Sequence, residues 1–552
     1  MNCILSFLPQ FSTVPWIHLF AHLLVLLILG ELISCNHRGS HFQNNHFQND
    51  FLQNMNKYTI RLHPLGKELL VNNQTPLIDV LHAFGTEFPC GGKGTCGKCK
   101  VRLLDGEIEK TAAHEHKLKQ LGLSEDWRLA CFSLCTDDIT LEIEQFNHLI
   151  LADESEFDFS PQEGYGIAVD LGTTTVVAQL IDLSSAKVLA VETMLNPQVK
   201  FGADLISRIQ ACLDGNSTGL TQIIRSAIGT MIELMLKKHA VDLHKVVIVG
   251  NTVMRLIFSN CDVSPLSAYP FHTDNLGMNT FDPDELGWKF GTREKVQFYP
   301  SIGSFIGSDI LAGIAATGLH KKENYTALID LGTNGEIVVG NKHVIVCAST
   351  AAGPAFEGSN ISMGMRAVTG AISSLSLLDG KINVSVIGNT LAKGICGSAL
   401  IDAIAIFRQL ELIGMFGEIN SGESQILLSG KVSLTQKDIN EFQLAKAAIA
   451  AGLVILAHKL SIVVSDIEEI YIAGGFGNYI NIANVVTTGM IELPEQKIHK
   501  MGNTALIGAK MFLFTGQEIS TEILSRTRHI NLESNPDFQD IYVDKMLFAE
   551  NL

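Results

Sequence analysis

The 552-residue chain shows two kinds of hydrophobic pattern, which divide it into two parts. In the first part, four short segments alternate apolar and polar side chains, which predicts half-buried strands. They are residues 57–61, 67–71, 100–104 and 139–143. Residues 76–84 have the apolar spacing of a short helix. This pattern predicts a small α+β domain over residues 55–147, with an all-β barrel as the alternative.

In the second part the apolar runs are continuous, as in the buried strands of α/β proteins. A strand, a tight turn and a second strand are predicted at residues 167–182 and again at residues 327–340. This internal duplication predicts two related subdomains that face each other across a cleft. We expect them over residues 164–322 and 323–552.

Further segments of the second part have clear patterns. Residues 220–239 and 446–456 predict helices, and residues 245–249 and 469–473 predict buried strands. Residues 148–163 are acidic and contain serine and proline, which predicts a linker between the two parts.

The first 54 residues follow neither pattern. Residues 16–33 form an apolar run just long enough to span a bilayer, and residues 32–35 resemble the cleavage signal of a lipoprotein. However, no lysine or arginine precedes Arg38, so the positive region of a signal peptide is missing. Three interpretations of residues 1–54 stay open: a start extended beyond a native Met55, a membrane anchor, or an exported lipoprotein.

Charge and cysteine content exclude some classes of function. The net charge of -17 argues against a nucleic-acid partner, because phosphate binding needs a basic surface. The 11 cysteines are odd in number, and three of them, Cys90, Cys96 and Cys99, cluster in one short segment. That distribution favours metal ligation in a reducing compartment over disulfides, so we expect a cytoplasmic protein.

The cysteine cluster lies in a glycine-rich loop. Cys90, Cys96 and Cys99 are separated by five and two residues, and Cys131 follows later. Glycines between the cysteines let a loop wrap a compact cluster and direct N–H groups at its sulfides. The spacing resembles that of adrenodoxin-like ferredoxins. This resemblance implies a β-grasp ferredoxin domain with a [2Fe–2S] cluster on these four cysteines.

A zinc site is the alternative for the same segment. It would use Cys96 with Cys99 and Cys131 with Cys135 as two pairs. Zinc knuckles do not need a glycine-rich loop of five residues before the first pair. His114 and His116 lie in a predicted charged helix, and we expect both to be solvated rather than bound to metal.

Two turns have the composition of phosphate-binding loops. Asp170 and Asp330 each begin an Asp-Leu-Gly-Thr sequence between two predicted strands. Such a turn presents N–H and hydroxyl donors to phosphate, and the carboxylate at its base can hold Mg²⁺ through water. The predicted nucleotide contacts are Gly172, Thr173, Thr174, Thr175, Gly332, Thr333 and Asn334. Asp170, Asp330 and Glu336 are the catalytic candidates, with Glu336 as a base that positions water.

A third glycine-rich turn, with Gly474, Gly475 and Gly477, follows the last predicted strand. The three turns, in this order, resemble the phosphate and adenosine motifs of actin, sugar kinases and heat-shock chaperone ATPases (ASKHA, RNase H-like). The resemblance implies a two-subdomain α/β ATPase that binds ATP with Mg²⁺. It also implies two connecting helices, at residues 307–316 and 502–509.

A ferredoxin loop followed by this ATPase resembles the reductive activators of corrinoid proteins, over residues 57–547. The resemblance implies that an electron passes from the [2Fe–2S] cluster to a Co(II) corrinoid, with ATP hydrolysis, and regenerates the Co(I) state that accepts methyl groups. The implied partners are a corrinoid protein with its methyltransferase, and an upstream electron donor, either a ferredoxin or a flavoprotein.

Two other functions are kept as alternatives. The first is a ferredoxin-type electron carrier that senses ATP but does no work with it. The second is a small-molecule kinase with a fused redox sensor. A homodimer is one alternative for the assembly, and a membrane contact is expected only if residues 1–54 are a genuine anchor.

Overall fold

A computed structural model describes a large part of the chain. The described residues are 57–63, 67–81, 86, 97, 99–143, 157–332, 334–358, 360–367, 370–378, 380–387, 390–474, 477 and 480–549. Apart from Lys57 they belong to one unit, Tyr58–Leu552. The predictions for residues 1–54, for Cys90 and Cys96, and for most of the linker fall outside the described residues.

The first part of the described chain is a small mixed sheet with two short helices. In chain order the elements are β1 (Lys57–His63), β2 (Lys67–Asn72), β3 (Thr75–Pro76), α1 (Leu77–Leu81), β4 (Lys100–Asp105), α2 (Ala112–Gln120), β5 (Trp127–Leu129), β6 (Leu134–Cys135) and β7 (Ile139–Glu142). The main sheet has the order β2-β1-β7-β4-β5, and its central pair, β1 and β7, is parallel. The predicted α+β β-grasp fold is confirmed, and the all-β barrel is wrong.

His114 is buried in the core of this sheet. Helix α2 directs His114 and Leu118, four residues apart, to the same buried face. The Nε2 atom of His114 accepts a hydrogen bond from the Leu129 N–H at 2.9 Å, and its ring stacks on Phe132. Burial lowers the pKa of His114 to about 4. The expectation of a solvated side chain is therefore wrong for His114, because the helical periodicity directs it to the buried face, whereas His116 is exposed as expected.

The second part begins with a sheet of mixed direction. In chain order its elements are β8 (Tyr165–Leu171), β9 (Thr175–Asp182), β10 (Lys187–Leu195), α3 (Leu205–Ala211), α4 (Ser217–His239), β11 (Leu243–Gly250), α5 (Thr252–Phe258), β12 (Asn279–Phe281), β13 (Val296–Phe298) and α6 (Ser308–Thr317). The strand order is β10-β9-β8-β11-β13-β12. Strands β8, β9 and β10 are antiparallel neighbours, and β11 runs parallel to β8.

A second sheet repeats this topology. Its subdomain contains β14 (Thr326–Leu331), β15 (Gly335–Gly340), β16 (Ile345–Thr350), β17 (Ala371–Leu378), β18 (Lys381–Val386), β19 (Gly394–Ile395), α7 (Gly397–Gln409), β20 (Gln425–Ser429), β21 (Val432–Thr435), α8 (Gln436–Lys459), β22 (Glu469–Ala473), α9 (Ile482–Thr487), β23 (Ile498–Gly502), α10 (Thr504–Thr515), α11 (Glu518–Arg526), β24 (Thr527–His529) and α12 (Phe538–Asp544). The main order is β23-β22-β14-β15-β16-β24. Again three antiparallel strands, β14 to β16, are continued by a parallel strand, β22. The predicted duplication and the two-subdomain α/β fold are confirmed.

One hydrophobic core contains residues of both sheets together with α6 and α10. Val249 of the first sheet and Leu328 of the second belong to it. The two helices approach each other so closely that a Cβ atom on Gly508 would lie 2.1 Å from the carbonyl oxygen of Ala312. Helices α6 and α10 therefore tie the two subdomains together.

Helix α8 is apolar enough to resemble a membrane span. Among the described helices it alone has the length and hydropathy to cross a bilayer, and 78% of its most apolar window is buried inside the protein. It packs in the core of the second subdomain, where Ile449 and Leu453 are buried.

Candidate nucleotide and iron–sulfur sites

Four carboxylates from different elements lie close together in the second part of the chain. Asp170 is near the end of β8, Asp330 near the end of β14, and Glu336 in β15 directly opposite Asp330. Asp309 lies in the first turn of α6. Glu336 is 8% exposed, and the three aspartates keep some accessible surface although protein encloses them.

The protein environment keeps these four carboxyl groups protonated to an unusually high pH. Desolvation is the main cause, and it raises the pKa of Asp170 to about 6. Desolvation and the neighbouring carboxylates raise the pKa of Asp309 and Asp330 to about 7. The pKa of Glu336 is raised well above its ordinary value, by desolvation and by the charges of Asp309 and Asp330.

No lysine or arginine in the described part of the chain lowers the pKa of any of the four carboxyl groups. When ionised, the cluster therefore carries negative charge that the described protein does not balance. Such a charge favours a bound cation, which would lower all four pKa values together.

The two predicted phosphate loops are tight turns beside this cluster. In the first, the Gly172 N–H donates to the Thr175 carbonyl at 3.0 Å, and in the second the Gly332 N–H donates to the Asn334 carbonyl at 3.1 Å. A Cβ atom on Gly172 would lie 2.6 Å from the Thr175 oxygen, so this turn requires glycine. Thr173 and Thr174 lie in the first turn, whereas Thr333 is outside the described residues.

The third glycine turn lies directly against the second loop. Strand β22 pairs in parallel with β14, which places Ala473 opposite Asp330. Gly474 follows with a φ of +94°, and a Cβ atom there would lie 2.8 Å from Oδ1 of Asp330. The Gly477 N–H donates to the Gly474 carbonyl at 3.0 Å, and Gly475 is outside the described residues. The fold thus brings the three glycine turns into one region.

Sequence patterns had not assigned two side chains of this region. Asp309 belongs to the cluster, and the Nδ2 of Asn503, which caps α10, donates to Oδ2 of Asp170 at 2.8 Å. Both residues begin the predicted connecting helices. The sequence signal that could have identified them is a polar side chain at the start of an otherwise apolar helix.

Two further polar side chains donate hydrogen bonds to backbone carbonyls of the first phosphate loop. The Nη2 of Arg208, on α3, donates to the Thr173 carbonyl at 2.6 Å, and the Nδ2 of Asn196 donates to the Gly172 carbonyl at 2.9 Å. Both residues are buried. No local pattern marks Arg208, which lies 35 residues from the carbonyl that it contacts.

Two of the described cysteines of the first part converge. The Sγ atoms of Cys99 and Cys131 are 3.2 Å apart. The Ala130 N–H donates to the Cys99 carbonyl at 2.9 Å, which fixes the two segments together. Gly97 has a φ of +69°, and a Cβ atom there would lie 2.5 Å from Leu121. Two converging thiols beside a required glycine fit a sulfur-ligated cluster.

Cys135 is directed differently. It is buried, and its Sγ donates to the Asp137 carbonyl at 3.4 Å. Burial raises the pKa of this thiol, which disfavours the thiolate that metal binding needs. Cys135 therefore has the contacts of a structural cysteine.

Comparisons with known proteins agree with this architecture. The family models that match are the "2Fe-2S iron-sulfur cluster binding domain" over residues 60–136, the "RACo middle region" over residues 165–322, and the "C-terminal domain of RACo the ASKHA domain" over residues 324–551. The chain is thus a redox enzyme with a [2Fe–2S] cluster domain and an ASKHA domain.

Two curated relatives and one solved structure resemble most of the chain. The corrinoid activation enzyme RamQ of Eubacterium limosum is 32% identical over 88% of this chain and 98% of its own length. The [Co(II) methylated amine-specific corrinoid protein] reductase of Methanosarcina barkeri is 26% identical, over 70% and 77%. A solved reductive activator for a corrinoid, iron-sulfur protein is 29% identical with a TM-score of 0.62, over 89% and 98%. By this similarity over nearly its whole described length, the chain belongs to the family of reductive activators of corrinoid proteins.

Proposed function

We propose that this protein binds and hydrolyses ATP with Mg²⁺ at the four-carboxylate cluster, and so drives an electron from its [2Fe–2S] cluster to a Co(II) corrinoid protein. The product is the Co(I) corrinoid that accepts a methyl group. The observation that supports the nucleotide part of this proposal is the set of four carboxylates beside three glycine turns, whose negative charge no described lysine or arginine balances. The names of the relatives support the corrinoid protein as the electron acceptor.

The carboxylates are suited to hold a hydrated cation. In the described parts of the chain, no three histidine, cysteine, aspartate or glutamate side chains lie close enough to ligate one metal ion directly. Asp170, Asp309 and Asp330 would therefore hold Mg²⁺ through its water ligands, which this ion gives up reluctantly. Backbone N–H groups of the two loops other than those of Gly172 and Gly332, which close the turns, would contact the phosphates.

Glu336 is the proposed base that positions water, and its environment makes that role dependent on the cation. Desolvation and the charges of Asp309 and Asp330 raise the pKa of Glu336 well above its ordinary value, which disfavours its carboxylate form when no cation is bound. A divalent cation at the cluster would lower the pKa of Glu336 and let its carboxylate accept a proton.

The proposed electron transfer requires four thiolates as ligands of the iron–sulfur cluster. Cys99 and Cys131 converge, and Cys90 and Cys96 would complete the ligand set. The [2Fe–2S] cluster would supply one electron at a time. The backbone hydrogen bond from the Ala130 N–H to the Cys99 carbonyl helps to bring the two thiols together.

The decisive experiment measures ATP turnover and Co(I) formation with anaerobically purified protein and a Co(II) corrinoid protein. We expect turnover to rise when the corrinoid protein is added. In Asp330→Asn both rates should fall at least a hundredfold while the cluster spectrum is retained. Asp402→Asn is the matched control, because Asp402 is a buried acid of the same subdomain that accepts bonds from the Leu375 N–H and Asn484.

Each alternative predicts a different result. ATP-independent corrinoid reduction would support an electron carrier that only senses ATP. Phosphate transfer to a metabolite, without any effect of the corrinoid protein, would support a kinase. A ferredoxin or flavoprotein donor, a homodimer and a cytoplasmic location stay predictions.

A further inference from the structure

Arg208 is a fully buried cation in the first ATPase subdomain. Its guanidinium group donates to the Gly202 carbonyl at 3.0 Å, to Oε1 of Gln198 at 3.1 Å and to the Thr173 carbonyl at 2.6 Å. Sδ of Met254 lies 3.1 Å from its Nη1. These partners are neutral, so the guanidinium has hydrogen bonds but no direct counter-ion.

The carboxylate whose charge reaches Arg208 is Asp204. Asp204 is exposed and accepts the Ser207 N–H at 2.8 Å as the cap of α3. Within the described residues no ion pair includes Arg208. Burial lowers the pKa of Arg208 to about 9, so it is still a cation at neutral pH. A buried charge without a direct partner is costly, which favours an anion nearby.

The contacts of Arg208 and Asn196 also orient the first phosphate loop. Arg208 holds the Thr173 carbonyl, and Asn196 holds the Gly172 carbonyl with its Nδ2 and the Thr174 carbonyl with its N–H. In a planar trans peptide the C=O and N–H point in opposite directions. The N–H groups of Thr173 and Thr174 therefore point away from the side chains that hold the carbonyls.

We propose that Arg208 is a positioning residue for the nucleotide phosphates: it fixes the Thr173–Thr174 peptide with its N–H toward them and adds a positive charge behind the loop. This inference rests on the proposed nucleotide site. It makes Arg208 a determinant of selectivity for phosphorylated nucleotide over free nucleoside, because adenosine has no group that uses the loop.

The test compares the Kd of MgATP with the Kd of adenosine, by titration calorimetry on the full-length protein with its cluster. Arg208→Met removes the charge and the bond to Thr173. Arg255→Met is the matched control, because Arg255 is equally buried and donates to Ser301 and Gly277 instead of the loop. Burial lowers the pKa of Arg255 to about 10, so it too is a cation.

We expect Arg208→Met to weaken MgATP binding at least tenfold and adenosine binding less than threefold, with both changes under threefold in Arg255→Met. Equal weakening of both ligands, or unchanged MgATP affinity, would overturn the inference. If Arg208→Met does not fold, Arg208→Lys serves. Lysine keeps the positive charge but cannot make all three hydrogen bonds of the guanidinium group, so MgATP should bind three- to tenfold more weakly. Unchanged MgATP affinity would again overturn the inference. A wild-type protein that binds no MgATP would instead overturn the proposed function together with this inference.

Discussion

Asp170, Asp309 and Asp330 come from three different elements, and desolvation raises the pKa of all three. The charge of Asp170 also raises the pKa of Asp309 and Asp330, and the charge of Asp330 raises that of Asp309. Their raised pKa values mean that the nucleotide-free protein binds protons that the unfolded chain would release. The residues proposed to hold a cation therefore reduce the stability of the cation-free protein at neutral pH. Stability given up at a site of this kind is a common feature of functional sites.

The sign of this effect gives a testable pH dependence. The pKa of Asp330 is about 7 in the folded protein and close to 4 in an unfolded chain. Stability should therefore fall as pH rises from about 4 to about 7, and then stay level. We expect the Tm of the nucleotide-free, Mg²⁺-free protein to fall between pH 5 and pH 7, and to fall less in Asp330→Asn.

Asp214→Asn is the control for this measurement, since Asp214 is exposed and its side chain accepts a hydrogen bond from the neutral amide of Gln210. Its Tm profile should follow that of the wild type. An unchanged pH slope in Asp330→Asn, measured by thermal melting, would contradict the raised pKa.

The cysteines allow a second comparison between single residues. Cys99→Ser and Cys131→Ser should each abolish the visible absorption of the [2Fe–2S] cluster, while MgATP binding persists, because these thiols converge far in sequence from the phosphate loops. Cys135→Ser should keep the absorption, since that thiol contacts Asp137. If Cys135→Ser lost the cluster absorption while Cys99→Ser and Cys131→Ser kept it, the proposed ligand set would be wrong.

Among the elements, the contact between α6 and α10 has two roles. Each helix begins at the carboxylate cluster, with Asp309 on α6 and Asn503 capping α10, and each contributes to the core shared by the two sheets. Any relative motion of the subdomains must therefore act on this contact. Glycine at 508 keeps the two helix backbones close.

Gly508→Ala tests that contact. Alanine favours a helix more than glycine by about 1 kcal/mol, so local propensity alone predicts a more stable protein. The new Cβ atom would lie 2.1 Å from the Ala312 oxygen, and overpacking of this kind costs about 1–3 kcal/mol. We expect a lower Tm by calorimetry. Gly291→Ala, with no atom within 4 Å of the added Cβ, should be close to neutral.

On the scale of the whole molecule, the arrangement of the cores predicts how the protein unfolds. The core built on α6 and α10 joins both large sheets. The ferredoxin domain has a core of its own. Among the described residues, Val199 is the one hydrophobic residue outside 57–143 that packs against it. The two subdomains of the second part are thus more strongly joined to each other than to the ferredoxin domain.

We therefore expect differential scanning calorimetry to show one transition for the two subdomains of the second part and a separate one for the ferredoxin domain. Cys131→Ser should shift only the ferredoxin transition. If MgATP binds at the proposed site, it should shift only the transition of the second part, since a ligand stabilises the unit that binds it. Two separate transitions for the second part would contradict the shared core.

Much of the fold followed from local pattern. The strands around Asp170 and Asp330 were predictable because each combines a buried strand with a glycine turn in adjacent residues, and the repetition of that unit indicated two related subdomains. The β-grasp domain followed in the same way from alternating strands and the cysteine spacing. In contrast, His114 was misassigned, because its burial depends on which face of α2 meets the sheet.

The sequence by itself determined the two domain types, the cysteine loop and the glycine turns, since these are properties of neighbouring residues. Only the tertiary structure decided that Asp309 and Asn503 join Asp170, and that Arg208 reaches the Thr173 carbonyl. These residues lie far apart along the chain, and no periodicity or spacing encodes their contact. They meet because two sheets and two connecting helices pack together, and that packing places the charges of Asp170, Asp309 and Arg208 in surroundings that shift their pKa values.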